Sequence, residues 1–188
     1  MALPRAIGQD AYRALALRNP DGQWELWDGE PREKPGMSVA HNWIVRILGR
    51  SLDRQLDEAA FVVQTNLGRV TWTEHNAFIP DVMVVPTAVV RRALAEHPET
   101  LETYAEPLPF VAEVWSPSTG GYDVRVKIAA YRARGDQEIW RVHPYERTLI
   151  RWVRPEGGAY AELVHTGGTV ELAALPGVAI DLDALFAE

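Results

Sequence analysis

The sequence predicts an α+β fold: a central mixed sheet flanked by helices, with an N-terminal β-hairpin and a C-terminal β-meander. Three observations lead there. Two short apolar runs, Pro80–Val85 and Pro109–Trp115, begin at proline and are rich in β-branched and aromatic residues. That is the pattern of strands buried on both faces. Segments around them carry apolar residues at helical spacing, and the last third reads as short strands broken by proline and glycine turns.

The elements follow in order. Gln9 to Arg18 is predicted as a short amphipathic helix, ended by Asn19-Pro20-Asp21-Gly22. Asp28-Gly29 lies between the strand-like runs Gln23–Trp27 and the segment from Glu30, a hairpin signal. Glu25 and Glu30 are the acids of this hairpin, where such residues are most often solvated, and Glu25 reads as solvated. Ser38 caps a predicted helix from Val39 to about Asp57, whose apolar positions 44, 45, 48, 52 and 56 form one face. Phe61–Asn66 and Val70–Thr73 read as strands, and Thr87–Ala95 as a helix. His97 to Leu108 reads as a proline-bounded excursion too polar for the core. Tyr122 to Arg134 has apolar residues at 124, 128 and 131, with Gly135 as a left-handed stop. Then come a strand at Glu138–Val142, a hairpin of Thr148–Val153 with Tyr160–His165 across Pro155 to Gly158, and Thr169–Leu172 continuing the meander. The tail Asp181–Phe186 makes one docked helical turn.

The 188 residues suit one domain, 1–188, with a sizeable core, and 47% apolar residues argue against disorder. The absence of cysteine excludes disulfides, thiolate metal sites and cysteine nucleophiles. The N-terminus has no long apolar segment, so a cytoplasmic protein without a membrane span is the default expectation. A net charge of −7 argues against a basic coat, yet Tyr122–Arg154 holds eight basic residues against four acidic ones. That stretch is either a local basic surface or an ordinary solvated one. Seven tryptophans leave apolar surface for a possible homodimer.

Asp81, Glu113 and Lys127 are the residues most in need of a task. A carboxylate inside a buried strand must be protonated, paired or bound to a cation. Lys127 is three after Val124 and four before Tyr131, so it shares the helix face that packs on the sheet. It is also one of only two lysines, with Lys34, among 19 basic residues. Two acids and one compact ammonium point to a hard-cation site beside a point charge. The plain alternatives are a turn aspartate, an edge-strand glutamate and a lysine that snorkels to water. His41 shares the buried face of its helix, either as a partly buried histidine or as a substrate contact above the site.

These residues resemble the PD-(D/E)XK nuclease superfamily, the restriction-endonuclease-like fold, and more closely a restriction-endonuclease branch abundant in cyanobacteria. The resemblance rests on Trp24 through Glu30, His41, Pro80-Asp81, Glu113-Val114-Trp115-Ser116-Pro117-Ser118-Thr119, Asp123, Lys127, Tyr131, and Gly135 through Trp140. It runs from about residue 10 to the C-terminus. One departure stands out: the superfamily motif sets its lysine two residues after the strand acid, where this chain has Trp115. Lys127 on the next helix takes that place.

The resemblance implies metal-dependent hydrolysis of DNA phosphodiester bonds. Asp81, Glu113 and the Val114 backbone carbonyl would hold Mg²⁺ or Mn²⁺, with Glu30 as an outer or second-metal carboxylate. Lys127 would orient or deprotonate the attacking water. His41, and Ser116, Ser118 and Thr119 ahead of the helix, would touch substrate; simple capping is the rival role for the last three. A different class of function is a catalytically silent module that keeps the fold for DNA or protein contact. A serine hydrolase built on Ser116 or Ser118 with Lys127 lacks a nucleophile elbow.

Overall fold

The structure is a computed structural model that describes residues 6–119, 121–155 and 158–187. Helix α1 (Gln9–Arg18) leads into the hairpin of β1 (Trp24–Trp27) and β2 (Glu30–Glu33). Asp28 and Gly29 both have positive φ, 51° and 78°, as a two-residue hairpin turn of the twist-matched kind requires. Helix α2 (Val39–Gln55) starts at Ser38, whose Oγ accepts the His41 N–H at 3.2 Å. Then come β3 (Phe61–Thr65), β4 (Arg69–Thr71), β5 (Ala77–Phe78), β6 (Val82–Pro86), α3 (Thr87–Glu96), β7 (Thr103–Tyr104) and β8 (Phe110–Val114).

The next helix departs from the expected single α-helix. Asp123–Lys127 forms a π-helical turn, and α4 (Ile128–Arg134) continues from it to Gly135 at φ 87°. Such turns insert an extra residue into a helix and recur at functional sites. Gly120 and the side chains of Asp123 and Val124 lie outside the described residues. The chain ends with β9 (Glu138–His143), β10 (Thr148–Val153), β11 (Ala161–His165), β12 (Thr169–Glu171), β13 (Ala179–Asp181) and the single turn α5 (Leu182–Leu185). Residues 156–157, in the expected β10–β11 turn, lie outside the described ones.

Two larger sheets share the work. The first, six-stranded, runs β11-β10-β9-β8-β6-β3, with β8 and β9 parallel and the other neighbours antiparallel. Parallel neighbours need a long crossover, and α4 supplies it. The second, five-stranded, runs β2-β1-β5-β4-β7. Side-chain alternation splits the first sheet into two faces. Val82, Val84, Phe110, Ala112 and Val142 pack with Ile44, Val45, Leu48 and Leu52 of α2. Met83, Val85, Val111 and Ile139 pack with Ile128, Ala130 and Tyr131 of α4.

Two expectations are corrected. The excursion 97–108 does reach the core: Tyr104 and Leu108 are each 1% exposed, and β7 pairs parallel with β4. Its few apolar residues are spaced so that they alone turn inward, which an average over the segment hides. The segment from Thr169 does not extend the meander. β12 folds back onto β13 as a separate two-stranded sheet, after a turn with Gly177 at φ 84°.

Candidate active site

β6 and β8 run antiparallel with Val82 opposite Ala112. Asp81 immediately precedes β6 and Glu113 follows Ala112 in β8, so the two acids enter the same end of this strand pair. Glu113 has the parity of Val111, so its carboxylate enters the α4 side of the sheet. Both acids are buried, each 1% exposed.

Lys127 descends from the helix onto this face and is itself 1% exposed. Its Nζ lies 2.8 Å from Glu25 Oε1 and 3.3 Å from Glu113 Oε2, and it donates to the Ile79 carbonyl at 3.3 Å. Tyr131, one turn along, donates its hydroxyl to Glu113 Oε1 at 2.5 Å. The ammonium and the phenol thus hold the two oxygens of one carboxylate.

The second ammonium is Lys34, just beyond β2. It donates to Asp81 Oδ1 at 2.6 Å, to Asn66 Oδ1 at 2.6 Å and to the Ile79 carbonyl at 3.2 Å. The other Asp81 oxygen accepts the Val114 N–H at 2.7 Å and lies 2.9 Å from His41 Nε2. Burial opposes ionisation of Asp81. The charge of Lys34, the hydrogen bond and charge of His41, and the charge of Lys127 outweigh it and hold the carboxyl well below the usual range. Asp81 is therefore a carboxylate at neutral pH. The Ile79 carbonyl, shared by both ammonium groups, joins the two halves into one cluster.

The structure thus brings Asp81, Glu113 and Lys127 together and adds three residues that sequence reasoning passed over or misjudged. Glu25 is 3% exposed, not solvated, because β1 pairs with β5 and aims it at Lys127 and at the Ile79 N–H, 2.8 Å away. Lys34 carried a readable signal, since both lysines of an arginine-rich chain end in one cluster. Asn66 carried none, being an ordinary polar residue after a strand.

The other candidates are placed as follows. His41 is 0% exposed and held against Asp81, so it positions that carboxylate from beneath rather than facing solvent. Glu30 does not join the cluster. It sits at the hairpin end opposite Trp27, with its side chain 62% exposed and 3.4 Å from Arg32. Ser116 is buried, accepts the Ser38 N–H at 3.3 Å and lies 3.1 Å from Ser118 Oγ, so it pins the linker to the start of α2. Ser118 and Thr119 line a cleft that also reaches Glu25, Lys34, Tyr122 and Lys127. Val114 gives its N–H to Asp81. Trp115, at the position of the motif lysine, stacks on His143 with ring centroids 4.4 Å apart.

Among the described residues, no set of three or more acidic, histidine or cysteine side chains forms a metal cage. The donors fit a hard divalent ion of the other kind, one that takes one or two carboxylates and keeps water or phosphate oxygens. Asp81 and Glu113 belong to one cluster through Lys34, Lys127 and the Ile79 carbonyl, oxygen is the only donor type they offer, and three carboxylates stand against two ammonium groups.

Comparison with known proteins bears on the family and the fold. A family model, Uma2, described as "Putative restriction endonuclease", matches residues 9–183. A crystal structure of a protein from Anabaena variabilis, described as a putative nuclease belonging to DUF820, superposes with a TM-score of 0.70. It is 18% identical and covers 87% of this chain and 89% of its own, so it speaks for the fold. No curated protein matches the sequence. The fold is therefore restriction-endonuclease-like, and the chain belongs to the Uma2 family.

Proposed function

We propose that the chain is a metal-dependent endonuclease that hydrolyses phosphodiester bonds in DNA. The observation that carries this reading is the convergence of Lys127, from the helix, with Glu113 and the Ile79 carbonyl beside Asp81. Asp81, Glu113 and the Val114 carbonyl would hold Mg²⁺ or Mn²⁺. A bound ion at such a site supplies Lewis acidity toward the phosphate and a more acidic water. Lys127, held by Glu25 and Glu113, orients the attacking water and offsets charge as the phosphorus becomes five-coordinate. Lys34 holds Asp81 in place and adds positive charge to the cluster. Ser118 and Thr119 offer hydroxyls to phosphate oxygens at the cleft.

A second reading, a silent binding module, is favoured by two features: the carboxylates are already paired with lysines, and Trp115 fills the motif position. Nicking of supercoiled plasmid in Mn²⁺ and Mg²⁺ separates the two. The parent nicks, chelation stops it, and Asp81→Asn and Lys127→Ala each lower the rate by about 100-fold or more. No nicking by the folded parent with either ion selects the silent module. Equal nicking by Lys127→Ala removes that residue from the mechanism.

A further inference from the structure

The outer face of α2 has no part in the cluster, yet its residues are arranged in order. Val39, Trp43, Arg46, Arg50 and Arg54 follow one another at spacings of three and four, so they form a single stripe along the helix. All five are exposed, Val39 at 87% and Trp43 at 48%. Among the described residues, none of the three arginines makes a hydrogen bond or ion pair, and Asp53 is the one carboxylate on this part of the helix. Unpaired guanidinium groups in a row are unexpected on a chain of net charge −7. An exposed tryptophan at the head of the row adds an apolar, stackable ring.

The stripe also leads somewhere. A groove between α2 and β3, lined by Asn42, Arg46, Arg50, Thr65 and Asn66, runs beside it. Asn66 closes that groove and accepts from Lys34, which in turn holds Asp81. On the opposite face of the same helix, His41 meets Asp81. The groove beside the arginines therefore ends at the residue that anchors Lys34, and Arg46, Arg50 and Arg54 step away from it by about 6 Å for every four residues.

We propose that this face of α2 is the track along which the sugar-phosphate backbone of a nucleic-acid strand leaves the Asp81–Glu113 site. Arg46, Arg50 and Arg54 each neutralise a phosphate, and Trp43 stacks on a base next to the scissile bond. The inference rests on the nuclease reading for the direction of the strand, but its test is binding, not cleavage. Charge selects the occupant: a row of unpaired guanidinium groups calls for a polyanion, and the site at its head is built for a phosphodiester.

The test uses the full chain without added metal and fluorescently labelled 20-mers, single- and double-stranded. Binding is followed by anisotropy over a series of KCl concentrations. The parent binds, and the plot of log affinity against log salt is steep. In the triple variant Arg46→Gln, Arg50→Gln, Arg54→Gln the slope falls by roughly two to three, the loss of three phosphate contacts. Arg18→Gln with Arg91→Gln, which removes charge elsewhere on the surface, leaves the slope unchanged, and circular dichroism shows each variant folded. Trp43→Ala weakens single-strand binding about tenfold, as loss of one stacked base does.

An unchanged slope in the triple variant overturns the track. The nuclease reading survives if the parent still nicks plasmid. A parent that binds neither form of oligonucleotide also overturns it. So does sedimentation showing a parent dimer that Trp43→Ala disperses, since the face is then a contact between two copies of this chain.

Discussion

Lys34 and Lys127 show how much depends on single residues here. Each is a buried ammonium whose removal leaves a carboxylate without its counter-charge. Breaking a buried pair from one side costs far more than the pair contributes net, about 3–5 kcal/mol. Lys34→Ala is therefore expected to destabilise the protein by about that amount in urea unfolding, because Asp81, with both side chains 3% exposed or less, loses its Oδ1 partner. Combining it with Asp81→Asn recovers a large part of the loss, since no orphan charge remains. Strict additivity of the two changes would show that they do not interact. Arginine at position 34 is not an equivalent, because three acceptors surround one compact Nζ.

At the scale of elements, the decisive arrangement is the seat of α2 on the sheet. Gly49 lies where the helix crosses β3, and a Cβ there would come 2.8 Å from Thr65 Cγ2. Gly49→Ala should raise helix propensity by about 1 kcal/mol and still destabilise the protein, because the helix must lift from the strand. Removing the opposing methyl with Thr65→Ser restores the gain. Thermal melts of the two single variants and the double variant settle it: a stabilised Gly49→Ala alone would mean that the contact is slack. The π-helical turn at Asp123–Lys127 belongs to the same scale. It lets Tyr122 pack edge-on against Trp27, at 5.4 Å, while Lys127 and Tyr131 still face Glu113. The helical period was legible in the sequence, but the extra residue was not. A π turn differs from an α turn by one hydrogen-bond step, and no composition rule marks it.

Over the whole molecule, the cluster is the seam between two sheets. Glu25 comes from the five-stranded sheet, and Lys34 follows its edge strand. Asp81 and Glu113 come from the six-stranded one. Arg134 joins the same two bodies at a second point. From the last turn of α4 it donates to the carbonyls of Thr71, Tyr104 (3.0 Å) and Glu106 (2.6 Å), and it pairs with Asp136 at 3.0 Å. Arg134→Met should cost about 3 kcal/mol or more, because three carbonyls lose a charged donor and buried Asp136 keeps only the Leu108 N–H in place of its counter-charge. Hydrogen exchange should show protection lost first in β4, β5 and β7. Uniform loss across both sheets would mean that they unfold as one unit. No helix among the described residues is long and apolar enough to cross a membrane.

The parts of this protein governed by local physics were readable from the sequence. Burial of β6 and β8, the Ser38 cap, the Asp28-Gly29 turn and the Gly135 stop each depend on a few neighbouring residues, and those residues are printed in order. Asp81, Glu113 and Lys127 were readable for a related reason: a charge inside an apolar run contradicts its surroundings. Only the tertiary structure decided that Glu25 turns inward, that Glu30 does not, and that Lys34 holds Asp81 from 47 residues away. In a half-buried hairpin, the pairing of β1 with β5 chooses which acid meets the core. That pairing is a contact between distant segments, so nothing in the hairpin's own sequence could announce it.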